Sequence, residues 1–180
     1  MTWTRPEAEA LLLEWTQSPS LRGHARAVEA ALRAYARRYG EDEELWGLTG
    51  LLHDLDYERH PSREEHPRVG VAHLQGKGTP EVMLQAILGH AEYLGVPRET
   101  LLAKALFAVD ELVGLITAVA LVRPTRSLGD TDARSVRRAG RLQHLLELSE
   151  PLVAAEQGQH VAFLDDVVRP RRDHRRVALG

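Results

Sequence analysis

Apolar and polar positions alternate along most of the chain with the period of a helix rather than that of a strand. In residues 18–40 the apolar positions Ala27, Ala31, Leu32 and Tyr35 fall on one face, because residues three to four apart are neighbours on an α-helix. Ser18 and Pro19 supply a cap and a first helical residue, and Gly40 a stop. The same reading predicts an amphipathic helix over 5–16. A third helix is expected in "EDEELWGLTGLLHDL", whose acids sit in the first turn, where the helix dipole favours them. Residues 56–66, with Pro61 and Ser62, read as a loop. A short helix follows in "HPRVGVAHLQGKG", then one in "TPEVMLQAILGHAEYLG" that Thr79 should cap, with Pro80 at its first position. The longest helix is expected over 98–122, stopped by Pro124. Two more are expected over 133–148 and 151–168, packed through Leu142, Leu145, Leu146 and Leu148. No strand run and no repeat stands out. The pattern predicts one all-α domain, a single-domain helical bundle over residues 1–180.

Composition sharpens this picture in a few places. Ala and Leu dominate and aromatics are 5% of 180 residues, which favours helix. The net charge of −3 gives no global reason to expect nucleic acid or membrane as a partner. Residues 1–122 carry 12 basic and 18 acidic groups, and residues 123–180 carry 11 and 8. The basic excess lies in the tail, "RPRRDHRR", which reads as a solvated end. Cysteine is absent, so disulfides and thiolate metal sites are excluded and a reducing, cytoplasmic setting is expected. "MTWTRPEAEALLLEW" lacks the layout of a signal peptide. The apolar run "ALFAVDELVGLITAVALV" holds Asp110 and Glu111 at mid-span, which opposes membrane insertion and favours a buried helix.

Those acids raise the chemical question. "GLLHDLDYERH" drives an apolar helix face directly into His53 and Asp54. A buried carboxylate is costly unless something compensates it. His24, His66, His90 and Asp110 likewise sit on or beside apolar faces. Imidazole nitrogens and carboxylate oxygens are ligands for divalent first-row metals, and a cation would offset the buried carboxylates. Taken singly, each histidine reads first as a hydrogen-bonded core residue rather than a ligand.

The order His24, then His53-Asp54, then Asp110, each on its own predicted helix, resembles the HD-domain superfamily of metal-dependent phosphohydrolases over roughly residues 20–126. "HPRVG" and "AILGHAEYLG" add His66 and His90, which match the two-metal branch of that superfamily. "LLAKALFAVDELVGLITAVALVRPTRSLGD" is similar to small bacterial HD proteins described as predicted hydrolases. After about residue 135 the likeness fades, leaving divergent helices at 133–168 and the tail 169–180.

The resemblance implies that His24, His53, Asp54 and Asp110 hold a first ion and that His66 and His90 hold a second, with Asp54 bridging. One or two divalent ions are expected: iron, manganese or zinc, with magnesium also compatible. Metal-bound water ionises near neutral pH, so Asp54 and His53 would form the catalytic core, with Glu92 as a candidate for proton transfer. Lys104, Arg123 and Arg126 are candidates to bind substrate phosphate. Asp56 and Glu65 are candidates to orient ligand histidines. His60 and His73 have no place in the pattern. The expected substrate is a small phosphorylated metabolite, a nucleotide first among them. The competing reading is a catalytically weak sensor module that binds nucleotide and metal. Homo-oligomerisation stays open.

Overall fold

A computed structural model of the chain describes residues 3–142. The helix expected over 151–168, the packing assigned to the side chains of Leu142, Leu145, Leu146 and Leu148, and the basic tail lie outside the described residues. Among the described residues the fold is all-α, with no strand. The helices are α1 (Arg5–Trp15), α2 (Pro19–Tyr39), α3 (Glu43–Leu52), α4 (Arg68–Gly76), α5 (Glu81–His90), α6 (Leu101–Leu121) and α7 (Ala133–Leu142). The contacts divide the chain into two compact units, Met1–Gly114 and Leu115–Gly180. Among the described residues, no helix is long and apolar enough to cross a membrane.

In the first unit, local chemistry sets the ends of the helices. Thr4 and Glu7 form a reciprocal capping box at α1. Ser18 Oγ accepts from the Leu21 amide at the start of α2, and Gly40 ends that helix at φ 72°, a left-handed conformation that glycine adopts without steric penalty. Asp42 caps α3 by accepting from the Leu45 amide at 3.0 Å.

One expected cap is not formed. Thr79 lies outside α5, which starts after Pro80 without a side-chain cap. Thr79 Oγ1 instead accepts a hydrogen bond from Trp3 Nε1 at 2.6 Å. That helix also stops at His90 rather than running on to Gly95. A separate 3₁₀ turn occupies Glu92–Leu94.

The core of this unit lies where α3 rests on α2. Val28, Leu32 and Tyr35 of α2 and Trp46, Leu48, Leu51 and Leu52 of α3 are buried, and α3 also touches α1 and α5. Gly50 marks a close approach. A Cβ there would stand 3.0 Å from the backbone of Val28 and Glu29. Burying each such leucine or valine contributes about 1.5–3 kcal/mol. The α3 helix is therefore pinned along its length, and the residues just beyond its end inherit a fixed position. Leu102, Leu106, Val109 and Val113 form the buried stripe of the α6 segment in this unit, which sets Asp110 in register beside it.

In the second unit, Asp132 begins α7 by accepting from the Ser135 amide at 2.7 Å. Val119, Ala120, Ala133 and Val136 are buried.

Candidate metal centre

The α3 helix ends at Leu52, and the chain turns immediately. His53 and Asp54 therefore project from a rigid helix end rather than from a helix face. His53 is almost wholly buried, and its Nδ1 donates to the Gly50 carbonyl at 2.8 Å. A carbonyl only accepts, so Nδ1 carries the proton and Nε2 keeps its lone pair in the neutral ring. His90, the last residue of α5, repeats the device by donating from Nδ1 to the Ile87 carbonyl. His66 reaches the same region from the turn before α4, and its Nδ1 donates to Asp56 Oδ1 at 2.7 Å.

These Nε2 atoms surround one carboxylate. Asp54 Oδ2 lies 3.3 Å from His53 Nε2 and 3.9 Å from His24 Nε2. Asp54 Oδ1 lies 3.5 Å from His66 Nε2 and 3.4 Å from His90 Nε2. The two oxygens of Asp54 thus face two different pairs of histidines. Asp110 Oδ1 closes the first group, 2.8 Å from His24 Nε2 and 3.4 Å from His53 Nε2.

The donors suit divalent cations. Metal–ligand bonds of about 2.0–2.2 Å place neighbouring ligand atoms of one ion roughly 3.0–3.5 Å apart. Most of the separations around Asp54 fall in that interval. Within each of two triads, His24–His53–Asp54 and Asp54–His66–His90, the ligand atoms lie within 4.8 Å of one another. His53 Nε2 is buried and makes no hydrogen bond despite its two carboxylate neighbours.

Electrostatics point the same way. Burial pulls the His53 pKa down, but the carboxylates of Asp54 and Asp110 outweigh it and hold it well above the ordinary value. Burial pushes the Asp54 pKa up. His53 and His90 overcome this and hold it well below the carboxylate range. Asp110 is likewise depressed, with His53 and His24 overcoming burial. In the metal-free protein a proton on His53 thus does part of the work of a cation.

The remaining sequence candidates are spread more widely. Asp56 is fully buried against His66, whereas Glu65 is turned aside by His60 Nδ1 and Ser62 Oγ, both at 3.0 Å. Glu92 is exposed and lies 3.8 Å from Arg98. Lys104 is exposed on α6. It lies six residues before Asp110, about 9 Å along the helix and about 120° around it. Arg123 and Arg126 belong to the second unit. There Arg123 Nε is buried without a partner, and Arg126 has a positive φ of 49°.

Sequence reasoning missed four neighbours of the cluster. Tyr57 packs edge-on to His66 with ring centroids 5.1 Å apart, and Tyr93 donates to the His66 carbonyl at 2.7 Å. Both phenols are more than 40% exposed. The Arg63 guanidinium lies 5.4 Å from the Tyr93 ring centre. Glu111, next to Asp110, has its pKa raised by partial desolvation, Asp110 and Glu92. A "DY" following the doublet was the one available signal, and spacing alone gave it no meaning.

Fold and site together define an all-α protein with a His/Asp centre built for divalent cations. A sequence model of the HD domain matches residues 21–115, just over half of the chain. The chain belongs to the HD domain family, which is one of metal-dependent hydrolases. No curated protein and no solved structure matched it.

Proposed function

We propose that this protein is a phosphohydrolase that uses two divalent cations to cleave a small nucleotide or a related phosphorylated metabolite. The observation that carries this reading is the division of Asp54, one oxygen toward His24 and His53 and the other toward His66 and His90. A carboxylate so placed could serve two ions, one at each oxygen, and paired ions suit in-line displacement at phosphorus. His24, His53, Asp54 and Asp110 would hold one cation, and Asp54, His66 and His90 the other. Bound there, the cations would bring the pKa of a water toward neutrality and polarise the phosphoryl group.

The chain's own groups would do the rest. Hydrogen bonds at Nδ1 keep three imidazoles aimed inward without any rearrangement on binding, which is the preorganisation that electrostatic catalysis requires. Tyr57 and Tyr93, both exposed and both touching His66, are the aromatic side chains proposed to stack a nucleobase, since aromatic rings stack on bases of any identity. Arg63 beside Tyr93, and Lys104 on α6, are the cationic groups proposed for phosphate. Glu111, with its raised pKa, and Glu92 are the acids proposed to pass a proton to the leaving oxygen.

The test is metal analysis of the purified protein followed by a screen of nucleotides and sugar phosphates with added Mn²⁺ or Fe²⁺. Asp54→Ala should lose bound metal and hydrolysis together, by at least about a hundredfold in rate, as expected when a bridging ligand is removed. Hydrolysis at the parental rate by metal-free Asp54→Ala would end this reading.

A further inference from the structure

The three anchored histidines are not anchored alike. His53 and His90 give their Nδ1 protons to carbonyls three residues earlier on their own helices. Neither arrangement uses a side-chain acceptor. His66 gives its proton to a side chain, Asp56, which is fully buried. Asp56 is itself fixed from the other side: its Oδ2 accepts the Gly70 amide at 2.6 Å. The approach is so close that a Cβ on residue 70 would lie 3.1 Å from Asp56 Cγ. Each oxygen of this carboxylate therefore has one fixed donor, and both donors require an acceptor.

We propose that Asp56 is a positioning residue that selects the tautomer of His66, and that this selection turns Asp54–His66–His90 into a cation site. The proposal rests on the two-cation reading above for its functional meaning, but its structural content stands apart from it. With Asp56 Oδ1 accepting from Nδ1, the lone pair of His66 is left on Nε2, which faces Asp54 Oδ1, 3.5 Å away. The buried Asp56 carboxylate has one backbone amide and one imidazole as its hydrogen-bond partners. A cation held by the far nitrogen of the same ring would add a second charge partner for Asp56 through the imidazole.

An asparagine at this position inverts the logic without changing its shape. The Gly70 amide is a fixed donor, so the amide oxygen must face it. The NH₂ group then faces His66 Nδ1, and a donor there demands an acceptor. The proton of His66 must move to Nε2, where it occupies the position of the cation. The His24–His53–Asp54–Asp110 group keeps its own hydrogen bonds, none of which passes through Asp56, and meets the change only at the shared Asp54.

The experiment compares parent and Asp56→Asn in two measurements. Nitrogen-15 correlation spectra of the metal-free proteins, with His66 assigned through a His66→Gln control, report the tautomer directly. The parent should show Nδ1–H and the variant Nε2–H, with the fold confirmed by an unchanged thermal midpoint or a raised one. Zinc titration then counts sites. The parent should take up two ions, and Asp56→Asn should keep one while the other weakens by at least about 10–100-fold, the usual effect of removing such a partner. Nδ1–H retained at His66 in Asp56→Asn would overturn the proposal, as would two zinc ions bound at parental affinity. If the parent itself takes up no zinc while the tautomers differ as stated, the two-cation reading fails and the role of Asp56 survives.

Discussion

Replacing Gly50 with alanine tests whether the α2–α3 contact is what holds the centre. The new methyl would meet the backbone of Val28 and Glu29 and Leu32 Cδ1, all at 3.0 Å. Backbone on a packed helix cannot rotate away as a flexible side chain would. Overpacking of this kind typically costs about 1–3 kcal/mol, and the immobile neighbours argue for the upper end. Alanine recovers about 1 kcal/mol of helix propensity relative to glycine. The net expectation is a loss of about 2 kcal/mol, which for a chain of this size lowers the thermal midpoint by roughly 4–8 °C. The effect should reach the site, because the Gly50 carbonyl is the acceptor that orients His53. Zinc affinity should fall along with stability. Gly23 is the internal control: it is exposed within α2, and a Cβ there would meet nothing within 4 Å. Gly23→Ala should raise the midpoint by roughly 1–4 °C through propensity alone. Thermal unfolding of the chelator-treated proteins, read by circular dichroism, measures both. If Gly50→Ala melts at or above the parent temperature, the close approach of the two helices does not constrain the molecule as argued.

Two further expectations follow from the charges at the centre. His53 holds its proton too tightly in the metal-free protein, so metal uptake should release about one proton and weaken as pH falls; calorimetry in buffers of different ionisation enthalpy would show this, and buffer-independent heats would contradict it. The stability of the metal-free protein should also decline as pH rises above neutrality. A raised His53 pKa contributes stability that is complete below the ordinary histidine value and is lost as pH climbs through the folded one. The depressed Asp54 and Asp110 contribute theirs above the ordinary carboxylate value and lose it only in acid. Melting of chelator-treated protein from about pH 6 to about pH 9 reads the slope, and a midpoint that rises over this range would refute the assignment.

The sequence carried the helices wherever the end signals were local. Ser18, Pro19 and Gly40 bracket α2 because each acts on its own turn. Thr79 misled because its hydroxyl is taken by Trp3, 76 residues away, a pairing with no local signature. The six His and Asp residues of the centre were legible as an ordered set, and the fold gathers them around Asp54. Their supports were less so. Asp56 and Glu65 both flank ligand residues as loop acids, and only the three-dimensional path of the turn buries one against His66 and leaves the other to His60. Tyr57, Tyr93, Arg63 and Glu111 gain their positions from the meeting of separate segments, which no spacing rule encodes.

The turn that carries Asp54 and Asp56 also reaches backwards. Glu58 accepts the amides of Gln17 and Ser18 at 2.6 and 3.2 Å, Arg59 donates to the Glu14 carbonyl, and its guanidinium lies 5.1 Å from the Trp15 ring centre. All four partners precede residue 21, where the match to the family begins. The stretch that defines membership is thus not a self-sufficient mechanical part. The N-terminal helix works as a tether for the loop bearing the central carboxylate, so a fragment trimmed to the matched residues would keep every ligand and lose the bracket that steadies them.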